Sequence, residues 1–103
     1  MAEWVKVAQA AEIPEGRVKT VLAKGQRLAL AHLAGGAYHA IEDRCTHDNG
    51  PLGAGELVEY LVECPRHGAR FNVKNGQPVT LPAVIPVKSF QVKVVGNDVL
   101  VEL

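Results

Sequence analysis

Cys45-Thr46-His47-Asp48-Asn49-Gly50 and Cys64-Pro65-Arg66-His67-Gly68, with sixteen residues between His47 and Cys64, are the two stretches on which the reading of this chain turns. They hold both cysteines of the sequence and two of its four histidines. In an extended loop, residues i and i+2 project to the same side, so Cys45 and His47 can face one centre together. Pro65 restricts the backbone of Cys64, and Gly68 permits a turn directly after His67. Gly50, Gly53 and Gly55, which follow the first box, are read as freedom for the chain to wrap a bulky inorganic group. Two cysteines can be inert buried thiols, but two thiolates and two imidazoles on two loops form a ligand set. A two-plus-two set also suits tetrahedral zinc. Zinc modules, however, usually present cysteines roughly two to four residues apart and then paired histidines. The order Cys, His, Cys, His with a one-residue first gap fits that poorly.

Both boxes, their interval and the chain length resemble the Rieske ferredoxins, in particular the small soluble ones that serve bacterial ring-hydroxylating dioxygenases. The likeness covers essentially the whole chain. It implies one Rieske-type [2Fe-2S] cluster, with Cys45 and Cys64 on the inner iron and His47 and His67 on the outer iron nearer solvent. Four thiolates around a core of charge plus two would give an oxidised dianion, whereas two thiolates and two neutral imidazoles give a neutral site. An added electron then meets less Coulomb repulsion, which is why such sites lie at roughly −150 to +300 mV against about −400 mV for plant-type ferredoxins.

The resemblance implies a carrier rather than an enzyme, passing single electrons from a flavin-dependent NAD(P)H reductase to a terminal oxygenase component. A Rieske-like small subunit of an NAD(P)H nitrite reductase is the alternative within electron transfer. A structural zinc-binding module is the alternative outside it. Membrane-anchored relatives carry a further cysteine in each box, joined as a disulfide; here the region from Asp48 to Gly50 has none, and Arg66 fills the second position. Those relatives also continue the second box with a serine after the glycine and a tyrosine two residues later, where this chain has Ala69 and Phe71. Leu81-Pro82-Ala83 resembles the proline loop that covers the cluster in the family.

The 103 residues leave room for one domain and one modest core. Eleven basic residues balance eleven acidic ones, so nothing points to nucleic acid or to an anionic membrane. The start, Met1-Ala2-Glu3-Trp4-Val5-Lys6-Val7, has neither the basic residues nor the apolar core of a signal peptide. No stretch approaches the roughly 18 apolar residues of a membrane span. A cytoplasmic monomer is the expectation.

Periodicity is of the strand type throughout: Phe90, Val92 and Val94 alternate with Gln91 and Lys93, and residues 27–33 alternate likewise. Turn signals fall at Lys24-Gly25, Gly35-Gly36, Asn75-Gly76 and Gly96-Asn97. The spacing predicts an all-β, antiparallel sandwich or small barrel, with strands at 4–8, 17–23, 27–33, 37–42, 57–59, 60–64, 70–73, 87–95 and 99–103. Residues from about 44 to 83 interrupt this pattern and are read as an inserted cluster-binding subdomain of a single Rieske domain spanning 1–103. Trp4 and Tyr60 are expected in or at the edge of the core. His32 and His39, in strands before the first box, are not expected to be ligands. Asp48 and Arg66 adjoin histidines and are expected at an exposed tip. Pro51, Leu52, Leu81 and Pro82 are candidates for an apolar collar around the imidazoles.

Overall fold

The alternation Leu28-Ala29-Leu30-Ala31 sets the architecture, because all four residues are fully buried in one strand, β3 (Gln26–His32). Successive side chains of a strand face opposite sides, so β3 must be covered on both faces. Leu28 and Leu30 pack with Ala8, Val21, Val99 and Val101. Ala29 and Ala31 pack with Ile41, Leu52, Val62 and Phe71. The larger residues fill one interface, and the smaller ones let bulky partners approach on the other.

In the computed structural model, which describes residues 3–44, 51–65, 68–80 and 85–103, three antiparallel sheets realise this plan. The middle sheet joins β2 (Arg17–Ala23), β3, β4 (Tyr38–Glu42) and β8 (Ser89–Phe90), in the order β2-β3-β4-β8. On its leucine face lies the sheet of β1 (Trp4–Gln9), β10 (Asp98–Glu102) and β9 (Val92–Val95). On its alanine face lies the sheet of β5 (Glu56–Val58), β6 (Leu61–Glu63) and β7 (Arg70–Asn72). Three-residue strands make few ladder bonds, so this third sheet depends on burying Val62 and Phe71, each worth about 1.5–3 kcal/mol. The described residues form no α-helix; two 3-10 turns, Ala10–Glu12 and Leu52–Ala54, interrupt the strands. No helix among them is long and apolar enough to cross a membrane.

The all-β expectation holds, with three corrections. The run expected as one strand over 87–95 is two strands in different sheets: β8 pairs with β4 and β9 with β10. The corner falls at Gln91, whose carbonyl accepts the Glu102 N–H at 2.9 Å. Unbroken alternation cannot reveal a strand that changes sheets, because each half keeps the same period. Val94, at the end of that run, is exposed. Trp4 and Tyr60 are exposed rather than core, and each lies under a lysine ammonium: Lys93 at 4.2 Å from the Trp4 ring centre, Lys74 at 5.0 Å from that of Tyr60. Tyr60 is out because it shares with Glu59 the two-residue turn between β5 and β6, where Glu59 takes φ +57°.

Candidate metal centre

Cys64 sits where β6 turns into β7. Glu63 pairs with Arg70, and one step beyond, the Cys64 N–H donates to the Ala69 carbonyl at 2.7 Å. The Gly68 N–H then donates to the Cys64 carbonyl at 3.1 Å, with Gly68 at φ +76°, a conformation that costs glycine little. The second box is thus a connection closed at its base by two backbone bonds. Strand alternation carries Cys64 to the same face as Val62, and Ala69 to the same face as Phe71. All four side chains are buried.

Residues 77–80 run back along β7. The Val79 N–H donates to the Arg70 carbonyl at 2.8 Å, and Thr80 Oγ1 accepts the Arg70 N–H at 2.9 Å. The chain that leads into Leu81-Pro82-Ala83 is therefore fastened beside the second box.

The stem that follows the first box packs beside the strand that leads into the second. Leu52 is fully buried in the same cluster as Cys64, Ala69 and Phe71. Gly55 touches the strand that ends in the second box: a Cβ on Gly55 would lie 1.8 Å from the Glu63 carbonyl oxygen, one residue before Cys64. A methyl group there has no space, since its neighbour is backbone rather than a side chain that can swing away. Gly55→Ala should therefore lower stability by about 1–3 kcal/mol through overpacking, read as a fall in the urea midpoint. An unchanged midpoint would mean that the two stems separate without penalty.

The family model described as the Rieske [2Fe-2S] domain matches residues 3–91. The chain belongs to that family. Ferredoxin CarAc of Metapseudomonas resinovorans is 35% identical to this Rieske protein over 98 residues, covering 95% of this chain and 92% of that one. The ferredoxin component of the naphthalene 1,2-dioxygenase system of Pseudomonas aeruginosa is 35% identical over 101 residues, covering 98% and 96%. Among solved structures, the complex of reduced oxygenase and oxidised ferredoxin in carbazole 1,9a-dioxygenase contains a chain similar to this one, with TM-score 0.86, 36% identity and coverage of 95% and 91%.

Of the four ligand candidates, Cys64 is placed, and Cys45, His47 and His67 lie outside the described residues, as do Asp48, Arg66, Leu81, Pro82 and Ala83. What is described fits a Rieske cluster. A thiol is presented among Leu52, Ala69 and Phe71 at the mouth of a closed turn, and the stem of the first box abuts it.

The remaining histidines of the Rieske domain have other duties. His32 stacks on Tyr38 at 4.0 Å, and its Nδ1–H donates to the Ile13 carbonyl at 2.7 Å. His39 on β4 lies opposite Ala31; burial first, then the Lys74 ammonium, pulls its pKa below the ordinary histidine value. Two expectations change. Leu52 is core rather than collar, and Gly53 and Gly55 serve close approach rather than freedom to wrap. Asp43, two residues before Cys45, is the one functional candidate that sequence reasoning passed over. Its side chain is buried on three hydrogen-bond donors, and an acidic residue at a strand end gave no signal of that.

Proposed function

We propose that this Rieske protein carries single electrons from a flavin-dependent NAD(P)H reductase to the terminal oxygenase of a ring-hydroxylating dioxygenase system in the cytoplasm, with Cys45, His47, Cys64 and His67 as ligands. The bound cluster supplies one reversible electron. Around it, the chain's task is to hold two boxes at a fixed separation, keep Cys64 from water, and present an apolar rim to a partner. Val79 and Ile85, on either side of residues 81–84, are both exposed, and Val79 is held beside the second box through the Arg70 carbonyl. Exposed apolar side chains flanking the expected proline loop suit a transient docking face.

The observation that carries this reading is the near full-length match to a ferredoxin solved in complex with its oxygenase. The relatives' systems differ in substrate, naphthalene for one and carbazole for another, and a carrier's chemistry is common to both.

Reconstitution tests the role. The purified holoprotein should restore NADH-driven turnover to a reductase and a ring-hydroxylating oxygenase that are inert without it. Alone with a chemical reductant it should hydroxylate nothing. Oxygen activation in such systems needs a separate iron held by two histidines and a carboxylate. With His47 and His67 assigned to the cluster, only His32 and His39 remain, and His32 is bonded to the Ile13 carbonyl. Turnover by the isolated chain would refute the carrier role. Electron delivery to a nitrite reductase, with none to an oxygenase, would favour the small-subunit alternative.

A further inference from the structure

The Asp43 carboxylate has three donors on two oxygens. Oδ1 accepts the Gly53 N–H at 2.5 Å; Oδ2 accepts the Thr20 hydroxyl at 2.9 Å and Arg27 Nη2 at 3.0 Å. Its side chain is completely buried, while that of Arg27 is 57% exposed, so the balancing charge stays at the surface. Asp43 precedes the first box and Gly53 follows it, so the Oδ1 bond spans ten residues and closes the stem of the loop that carries Cys45 and His47. Thr20 lies on β2 and Arg27 on β3. The closed stem is therefore pinned to the middle sheet at two points.

The approach is tight by construction. A Cβ on Gly53 would lie 2.1 Å from Thr20 Oγ1 and 2.7 Å from the Thr20 backbone nitrogen. Only glycine lets the chain come close enough for its N–H to reach the carboxylate that Thr20 also holds. Asparagine could keep the Gly53 bond through its single carbonyl oxygen, but its amide N–H₂ would then confront the Arg27 guanidinium, donor against donor.

We propose that Asp43 is a positioning residue for the cluster: it shuts the first ligand loop at its base and sets the spacing of the two boxes before metal binds. The inference rests on the ligand assignment made above. Held at both ends, the loop presents its donors with less conformational freedom to lose, as partners behind metal ligands generally do. The Gly55–Glu63 contact passes this alignment on to Cys64.

Asp43→Ala, Asp43→Asn and Thr20→Val would be compared with Val101→Ala, a control that opens the core on the far face of the middle sheet. The readouts are cluster release to an iron chelator and the EPR line shape of the reduced protein. Asp43→Ala should release its cluster about 10–100-fold faster than the parent and broaden the EPR signal. Asp43→Asn should fall between, as a partial rescue, and Thr20→Val should also release faster. Val101→Ala should lower thermal stability with release and signal unchanged. Release and line shape for Asp43→Ala that match Val101→Ala would overturn the proposal. If Asp43→Ala fails to fold, parental release rates for both Asp43→Asn and Thr20→Val would overturn it instead. A Cys45→Ser protein that keeps a full cluster would refute the ligand assignment and leave a different signature, since the Asp43 series would still be measured on an intact site.

Discussion

Cys64→Ser should give a colourless protein without iron, where the parent holds two irons and two acid-labile sulfides per chain. The proposed ligand is the Cys64 thiolate, and a serine hydroxyl does not ionise near neutral pH to replace it. The substitution also puts a hydroxyl among Leu52, Ala69 and Phe71 in a fully buried cluster. A hydroxyl is costlier than a thiol to withdraw from water, so apoprotein stability should fall as well. Because metal binding free energy becomes folding free energy wherever the metal holds loops together, Cys45→Ser, His47→Ala and His67→Ala should share the loss of the native spectrum. His32 and His39 provide the contrast. Replacing His32 removes a bond to the Ile13 carbonyl and a stack on Tyr38, which is a stability defect with the absorption spectrum intact. An unchanged spectrum in either ligand-histidine variant would displace that residue from the assignment. A colourless parent loaded with zinc after anaerobic preparation would displace the cluster itself.

The reduction potential should lie near the low end of the Rieske range, at about −150 mV, and Ala69→Ser with Phe71→Tyr should raise it. Ala69 and Phe71 are both fully buried, in one cluster with Cys64. The Cys64 N–H bond to the Ala69 carbonyl sets residues 64 and 69 opposite one another, and strand alternation turns their side chains to the same face. A serine at 69 would therefore stand on the side of the Cys64 sulfur, and a tyrosine hydroxyl at 71 would extend from the same face. Hydrogen bonds to a charged group are worth about 1.5–3 kcal/mol each. With about 59 mV for each 1.4 kcal/mol in a one-electron couple, two added donors should lift the midpoint by about 130–250 mV. Neither native side chain can donate, which leaves backbone amides to stabilise the reduced charge. Protein-film voltammetry decides the matter. A positive midpoint in the parent would show that other donors compensate, and no shift in the double variant would show that the hydroxyls cannot reach the sulfur atoms.

The family was legible because ligand chemistry constrains residue type and spacing together, while of the four proposed ligands only Cys64 lies among the described residues, buried beside Ala69. The strands of the middle sheet were legible in position, but β3 was read as alternating like its neighbours, whereas Leu28-Ala29-Leu30-Ala31 is apolar and fully buried on both faces. What escaped were features set by contacts between distant segments. The change of sheet at Gln91 leaves no mark in a local period. Tyr60 is outside because it falls in the β5–β6 turn, and a lysine lies over its ring as over that of Trp4, a long-range contact that local sequence does not announce. Gly53 and Gly55 were read through the flexibility of glycine, whereas the fold uses the absence of a side chain. Asp43 was passed over because a buried carboxylate becomes plausible only once Thr20, Arg27 and Gly53 converge on it, and nothing in the order of residues announces that meeting.

Glu3 and Leu103 exchange backbone bonds, Glu3 N–H to the Leu103 carbonyl at 3.2 Å and Leu103 N–H to the Glu3 carbonyl at 2.9 Å. They do so in the sheet that covers the leucine face of β3, whereas Leu52, Cys64 and Ala69, which flank or belong to the two boxes, pack on the alanine face. A linker, affinity tag or electrode tether attached at either position thus leaves from behind the molecule. The protein can be anchored by its back while its redox end stays open to visitors.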